Sequence, residues 1–336
     1  MNSMHYDIVI IGAGPAGLAC AIELKNSAFS VLLIEKETEI GPKVCAGGLT
    51  GLTQGYELPL DKTRSFSKQN IILKNKAFTI DLANPIRTIT RLELGQYQLQ
   101  QIENAKNITV LSNTTIKEIN KNQIITTDNE IIQFKYLVGA DGSNSIVRKS
   151  IGLKSVHCVG LYYDIPIITK ECIWYLNSNT LKTGYIWVFP HKNYTNIGVY
   201  FNPTTLNSKK AREALENYIT NQGFSFTSTG IKGAPVCYNY EGHQFGNVFL
   251  VGDAAGLTSK GTGEGISFAL ASGKEIAKKI KNNNYKTIEL NKIIRIKKRQ
   301  DKLFNILETL PFLHAFLYTI FIHMMRVKSF QSYFGI

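Results

Sequence analysis

Six residues near the start, Gly12-Ala13-Gly14-Pro15-Ala16-Gly17, restrict what this 336-residue chain can fold into more than any other feature. They lie between an apolar, β-branched stretch, Tyr6 to Ile11, and an Ala/Leu-rich stretch from about Pro15 to Leu24; a second apolar stretch, Val31 to Glu35, follows. Strand, glycine turn, helix and strand make a βαβ unit, so a parallel sheet is expected. Gly12, Gly14 and Gly17 allow a tight turn and let bare backbone approach a pyrophosphate at the N-terminus of a helix. Glu35, closing the second strand, is placed to accept hydrogen bonds from a ribose and disfavours a 2′-phosphate. NAD and FAD both satisfy this pattern.

Farther along, the text changes. Ile71 to Leu73, Phe78 to Ile80 and Ile86 to Ile89 are short β-branched stretches separated by Asn, Lys and Pro, which reads as antiparallel strands of another layer. Arg91 to Glu103 reads as a helix, Ile108 to Leu111 and Ile116 to Ile119 as strands, and Ile124 to Thr127 with Ile131 to Phe134 as a hairpin around Asp128-Asn129. Tyr136 to Gly139 reads as a buried strand. Strands resume from about Cys158 to Tyr240, interrupted by a Lys-rich helix near Ser208 to Asn221, and Val248 to Val251 returns to the pattern of a parallel strand. Two interleaved domains follow: a dinucleotide-binding domain from 1–65, 91–155 and 245–290, and a β-sheet domain from 66–90 and 156–244. Residues 291–336 form a C-terminal helical segment.

With 44% hydrophobic and 19% charged residues, the chain can bury a core, which excludes a disordered or fibrous protein. The five cysteines, Cys20, Cys45, Cys158, Cys172 and Cys237, are scattered without CxxC spacing, so neither a disulfide framework nor a metal site is expected and a reducing cytosol fits. No basic stretch followed by a long apolar run marks a signal peptide. Lys+Arg 38 against Asp+Glu 25 leaves a net charge of +13 and suggests an anionic partner. Much of the excess lies in Lys278, Lys279, Lys281, Lys286, Lys292, Arg295, Lys297, Lys298 and Arg299, just before the apolar run Leu310 to Met325. One reading is a solvated helix face followed by a core helix. The other is a peripheral platform whose lysines meet anionic headgroups while Phe312, Phe316, Leu317, Ile320 and Phe321 enter the membrane interface. A spanning helix is not expected from a run this short containing His314 and His323, and no groove-reading motif accompanies the charge, so nucleic acid is not an expected partner.

Two further turns carry chemistry. Gly252-Asp253-Ala254-Ala255-Gly256 follows a predicted strand, and Gly261, Thr262, Gly263, Glu264 and Gly265 lead into a helix from Ile266 to Ile280. The bare backbone at that helix N-terminus suits a reduced, anionic flavin ring, and Asp253 suits a ribityl hydroxyl. Asp141, in Val138-Gly139-Ala140-Asp141-Gly142-Ser143-Asn144-Ser145, reads as a turn-capping residue, with Arg148 close behind. Tyr185, Trp187 and Phe189 share one face of a strand by period two, which gives a flat aromatic wall for an apolar substrate or, equally, ordinary core packing. His191 after them is either a loop residue or a proton donor.

These motifs, in this order, resemble the FAD-dependent monooxygenase and reductase superfamily of the p-hydroxybenzoate hydroxylase type. The resemblance covers essentially the whole chain and implies an α/β fold in which a Rossmann-like FAD-binding domain interleaves with an antiparallel β-sheet substrate domain. Gly41-Pro42-Lys43-Val44-Cys45-Ala46-Gly47-Gly48-Leu49 is similar to the cysteine-glycine loop of geranylgeranyl reductases, and Tyr185-Ile186-Trp187-Val188-Phe189-Pro190 to the YxWxFP box lining their lipid cavity. The resemblance implies FAD contacts at Gly12, Gly14, Ala16, Gly17, Glu35, Lys36, Cys45, Ala46, Gly48, Arg91, Asp253, Gly263, Gly265 and Ile266, and substrate contacts at Tyr185, Trp187 and Phe189. Cys45 is either a small residue permitting close approach to the ring or a functional thiol beside it. Gly95 stands where an acid often follows the arginine of that helix. The implied activity is reduction of carbon–carbon double bonds in a polyprenyl group on a lipid, quinone or pigment precursor, with NADPH, NADH or ferredoxin as electron donor. The aromatic box also resembles the halogenase WxWxIP box, so a flavin monooxygenase or halogenase is the alternative.

Overall fold

A computed structural model describes residues 4–335. Its first sheet is eight-stranded and built around five parallel strands in the order Val248–Leu250, Ile131–Gly139, Met4–Ile11, Val31–Ile34 and Ile108–Leu111. The central strands are apolar at nearly every position because both faces are covered: Ile8, Val9, Ile10, Val31, Leu33 and Leu137 are fully buried. Helices Pro15–Leu24 and Ile266–Lys281 lie together over one face, and their approach is close because a Cβ at Gly273 would sit 2.1 Å from the carbonyl oxygen of Ala16. The second sheet is also eight-stranded and antiparallel except for the parallel pairing of Ile173–Leu176 with Arg64–Leu73. Helix Ser208–Asn221 packs Leu215, Tyr218 and Ile219 against one of its faces. Gly48–Leu49 forms its edge strand, so the chain passes between the two sheets through the cysteine-glycine loop.

The α/β fold with a parallel and an antiparallel sheet agrees with the sequence reading, and several elements differ in detail. The three short stretches between 66 and 91 merge into one hairpin, Arg64–Leu73 with Lys76–Thr88. Pro85 is accommodated because the register shifts between Phe66 and Lys68, leaving Leu82 to Pro85 out of the ladder, where a missing N–H costs nothing. The basic cluster is divided between helices Ile266–Lys281 and Ile288–Thr309, with Lys286 in the connection between them. Lys297 does not face solvent: it is 1% exposed and paired with Asp301. Helix Ile288–Thr309 and the following Pro311–Met324 segment meet at a bend of 102°, and among the described residues no single helix is long and apolar enough to cross a membrane. The apolar run is two-sided. His314, Tyr318 and Ile322 are buried, and Leu317 and Phe321 pack inward beside them, whereas Phe312 is 79% and Phe316 62% exposed.

Candidate flavin and substrate site

The three glycines of the first turn have different duties. Gly12 has φ +101°, where a side chain is strained, and a Cβ there would lie 2.4 Å from the Ala140 carbonyl oxygen. A Cβ on Gly17 would lie 1.9 Å from the Gly12 oxygen, so this glycine lets the helix start against the turn. Gly14 has extended backbone, φ −76° and ψ −178°, and its missing Cβ would meet nothing nearer than an Arg91 guanidinium nitrogen at 4.0 Å. Gly14 therefore borders open space. Pro15 takes the first helical position, where its absent N–H is no loss. The Glu35 carboxylate accepts from the Ala13 and Glu37 amides at 2.8 and 3.1 Å, which fixes it at the mouth of the turn.

That space is a cleft between the sheets. Its walls include Gly14, Ala16, Cys45, Ala46, Gly48, Arg91, Asp253, Gly263, Gly265 and Ile266 from the FAD set, together with Tyr185, Trp187 and Phe189. Gly12, Gly17 and Glu35 do not line it. Lys36 is outside the cleft, exposed and beside Glu37, so nothing in its position holds it toward a ligand. Arg91 opens helix Arg91–Gln100 behind a capping box of Thr90 and Glu93, is buried, and its Nε has no partner. Gly95 in this helix has a packing reason. A Cβ there would come within 2.5 Å of the Gly41 Cα, so a larger residue would push the cysteine-glycine loop off the helix.

At the other end, Asp253 accepts from Thr258 Oγ1 at 2.8 Å and Ser143 Oγ at 3.1 Å, and pairs with Lys43 at 3.3 Å. Burial alone would raise its pKa, but Lys43, Thr258 and Ser143 outweigh burial and hold it below the usual carboxylate range. Arg148, fully buried, holds this turn from behind, donating to the carbonyls of Ala254, Asn239 and Lys154 and to Glu241. Asp141 accepts from Ser145 Oγ and the amides of Ile146 and Val147, so it caps the short helix Ile146–Ser150 and is not turned toward the cleft. Helix Ile266–Lys281 begins at Gly265 with no side-chain cap. Its first amides are free for an anionic group at the cleft.

The aromatic wall is a structural unit. Trp187 faces Gly198 across the ladder, where a Cβ would clash with the indole at 2.2 Å, and its Nε1 donates to Asn196 at 2.6 Å. Phe189 lies over Gly48, where a Cβ would be 2.6 Å from its ring. Tyr185 donates to the Thr262 carbonyl and stands 6.4 Å, centroid to centroid, from Trp187. Sequence reading missed Trp174, which pairs with Trp187 across the ladder and meets Tyr185 edge-on at 6.3 Å. It also misplaced His191 as an exposed loop residue. The ring is 3% exposed, stacks on Tyr194 and donates from Nε2 to the Ala46 carbonyl at 3.0 Å, while burial pushes its pKa down. His191 thus anchors the cysteine-glycine loop as a neutral ring. The Cys45 thiol lines the cleft, half-buried, and accepts from the Gly47 amide at 3.4 Å; all five cysteines are free.

Glu264 lies on the same wall. Its carboxylate accepts from Thr50 Oγ1 and, at 2.7 Å, from Ser267 Oγ. Burial pushes its pKa up from an ordinary 4.5 to about 7 against the pull of those two donors. The folded chain therefore binds more protons than the unfolded chain between these values, and the residue's contribution to stability falls as pH rises through that window. Relative to the wild type, Glu264→Gln is expected to gain about 3 kcal/mol between pH 4.5 and 7.5 in parallel denaturant titrations of the flavin-free protein. Curves that keep a constant separation would contradict the assignment.

An open glycine face, a buried arginine nitrogen with no partner, an acid set in the cleft and an uncapped helix N-terminus together fit a flavin dinucleotide. Residues 6–159 match the pyridine nucleotide-disulphide oxidoreductase family and residues 123–283 the FAD binding domain. Fold and cleft define an FAD-dependent oxidoreductase. The chain is 33% identical over 299 residues to an uncharacterised protein of Methanosarcina barkeri, covering 84% of this chain and 76% of that one. It is 28% identical over 320 residues to digeranylgeranylglycerophospholipid reductase 3 of Methanosphaera stadtmanae, covering 85% and 80%. Among solved structures, a geranylgeranyl bacteriochlorophyll reductase-like protein of Thermoplasma acidophilum superposes with a TM-score of 0.75 at 20% identity, covering 99% of this chain and 90% of that one. A flavin-dependent brominase shares the fold with a TM-score of 0.74 at 16% identity, covering 99% and 94%. The chain belongs to one family with the Methanosarcina barkeri protein, and among FAD-dependent oxidoreductases it is similar to the geranylgeranyl-type reductases.

Proposed function

We propose that the protein saturates carbon–carbon double bonds in a geranylgeranyl-type chain carried on a lipid, quinone or pigment precursor. The observation behind this reading is the apolar lining of the flavin cleft and of a second cavity that shares its Trp174–Tyr185 wall. Tyr185, Trp187, Phe189, Trp174 and Ile86 bound the cleft itself. Behind the Trp174–Tyr185 pair lies a second cavity of ≈ 60 Å³, walled by Ile71, Leu176, Leu303, Phe304, Leu307 and Phe321 and reaching the C-terminal helices. Such walls hold a flexible hydrocarbon by area and offer few polar groups to orient anything smaller.

When bound and reduced, the flavin supplies hydride. Gly14, Arg91, Glu35 and Asp253 would hold its dinucleotide and ribityl parts, and the amides at the start of helix Ile266–Lys281 would face its ring. Trp187 and Phe189 exclude water and press the chain into place. Cys45, on the cleft wall, is the candidate catalytic side chain: Cys45→Ala is expected to keep the flavin and lower turnover at least about tenfold, a loss of about 1.4 kcal/mol. Unchanged turnover would leave Cys45 only as a small residue allowing close approach. A nicotinamide or ferredoxin serves as visiting electron donor, since the sequence has no second GxGxxG turn. The halogenase form of the alternative calls for a lysine between flavin and substrate. Lys43, on the cleft wall, is instead paired with Asp253.

Chain-length dependence tests the reading. Affinity for prenyl lipids, followed by tryptophan fluorescence, is expected to rise about tenfold per added five-carbon unit up to four units, given about 0.8 kcal/mol per fully buried methylene and partial burial. Indifference to length would remove the reading.

The substrate's carrier also gives the C-terminal bend a role as a peripheral membrane contact. Phe312, Phe316, Ile320 and Met324 are exposed there, with Lys302, Arg326 and Lys328 exposed around them. Cosedimentation with vesicles containing anionic lipid is expected to fall at least about tenfold in Phe312→Glu/Phe316→Glu, and to weaken with salt. Equal binding by wild type and double variant would exclude this contact.

A further inference from the structure

Glu264 has no part in holding the dinucleotide, yet its place is unusual for a carboxylate. It stands between Gly263 and Gly265 at the entrance to helix Ile266–Lys281, on the wall shared by Cys45, Gly48, Thr50 and Tyr185. One oxygen accepts both hydroxyl donors, Thr50 from the cysteine-glycine loop side and Ser267 from the helix. Among the described residues no lysine, arginine or histidine pairs with this carboxylate. The titratable groups around it are few. Tyr185 is engaged with the Thr262 carbonyl, Tyr200, packed on Gly263, donates to the Ser259 carbonyl, and Cys45 and Arg91 line the same cleft without pairing with Glu264. Asp253, across Gly265, is already neutralised by Lys43. A carboxylate without a counter-ion, in a largely apolar wall and beside the helix terminus that favours a negative ring, cannot keep its charge when a second negative charge arrives.

We propose that Glu264 is the redox-linked proton acceptor of this site. It is ionised or half-ionised beside the oxidised ring and takes up a proton from solvent on its carboxylate oxygen when two electrons give the ring negative charge. Electrons come from the external donor and two protons from water: one would go to the ring itself, leaving it a single negative charge, and the other forms the O–H bond on Glu264, so the net charge of the pair is unchanged. Thr50 and Ser267 set the point at which this happens, because each donates to the ionised form and restrains its protonation. Oxidation by substrate reverses the change and releases the proton within the cleft. The inference rests on flavin binding at this cleft and is independent of which alkene, if any, is reduced.

The test is the midpoint potential of the bound flavin against pH, measured without prenyl substrate, for the wild type, Glu264→Gln and Thr50→Val. The wild type is expected to show a segment near pH 7 in which one extra proton accompanies each pair of electrons. Glu264→Gln, which keeps the acceptor for both hydroxyls but cannot ionise, should lack that segment, and Thr50→Val should move it to higher pH. Superimposable wild-type and Glu264→Gln curves would overturn the proposal. If Glu264→Gln retains no flavin, the carboxyl carbon of Glu264 is followed by NMR in the wild-type holoprotein in both redox states: a titration midpoint higher in the reduced state supports the proposal, and identical midpoints overturn it. A protein that shows this linkage but reduces no alkene would lose the proposed function and keep this inference.

Discussion

Gly14→Val is expected to leave a folded protein that no longer holds FAD. The position has extended backbone and precedes a proline, a setting a β-branched residue accepts without strain. Its new methyl groups would project toward Arg91 and into the cleft, with no backbone in their way. Thermal unfolding of the flavin-free variant should therefore stay within about 3 °C of the wild type, while FAD affinity falls at least about 100-fold, or 2.7 kcal/mol. Gly12→Val and Gly17→Val make the contrast, since a Cβ at either position meets backbone at 2.4 or 1.9 Å and fold and flavin should be lost together. Wild-type FAD affinity in Gly14→Val, read by fluorescence titration, would show that the pyrophosphate does not pass this turn.

Arg148→Leu is expected to cost about 3–5 kcal/mol of stability, because removal of a buried charged partner strands the groups it satisfied. Those groups are mainly carbonyls: Ala254 and Asn239 lose the donor that satisfied them, whereas the exposed Lys154 carbonyl keeps the Asn239 amide and Glu241, 44% exposed, can turn to water. Ala254 adjoins Asp253, so flavin affinity should fall with stability. Glu241→Gln, which leaves the arginine and its carbonyl partners in place, should change stability by less than about 1 kcal/mol. The pair is read by denaturant midpoints, and an Arg148→Leu loss under about 1 kcal/mol would mean that the carbonyls find other donors.

What the sequence disclosed and what it hid follow a physical line. The glycine turns, the strand periods and the aromatic face are local patterns, and each appeared where expected: the first strand and helix, the Ser208–Asn221 helix, and Tyr185, Trp187 and Phe189 on one wall. Residues whose meaning depends on a distant neighbour were misread or passed over. Gly95 looked like a lost acid and is a glycine because the Gly41 backbone crosses it. His191 looked like a loop residue, and only the return of Ala46 from far earlier in the chain buries it. Arg148 was noticed for its position, but its partners near 154, 239 and 254 are brought together by the sheet. Trp174 had a usable signal: its strand pairs in register with the YxWxFP strand, which puts the two tryptophans opposite each other. Lys297 shows the reverse error, a cation counted toward the surface charge that the helix turns inward to Asp301.

In the proposed function, reduced flavin in this cleft passes its electrons to an isolated prenyl double bond. The direct measurement is anaerobic: reduce the flavin of the purified holoprotein, remove excess reductant, add a geranylgeranyl lipid, and follow the oxidised-flavin absorbance together with product mass. The expected result is recovery of the oxidised spectrum without oxygen and a product heavier by two hydrogens for each flavin reoxidised. A flavin that stays reduced until oxygen is admitted, and a lipid that then gains oxygen or halogen in place of hydrogen, would contradict it.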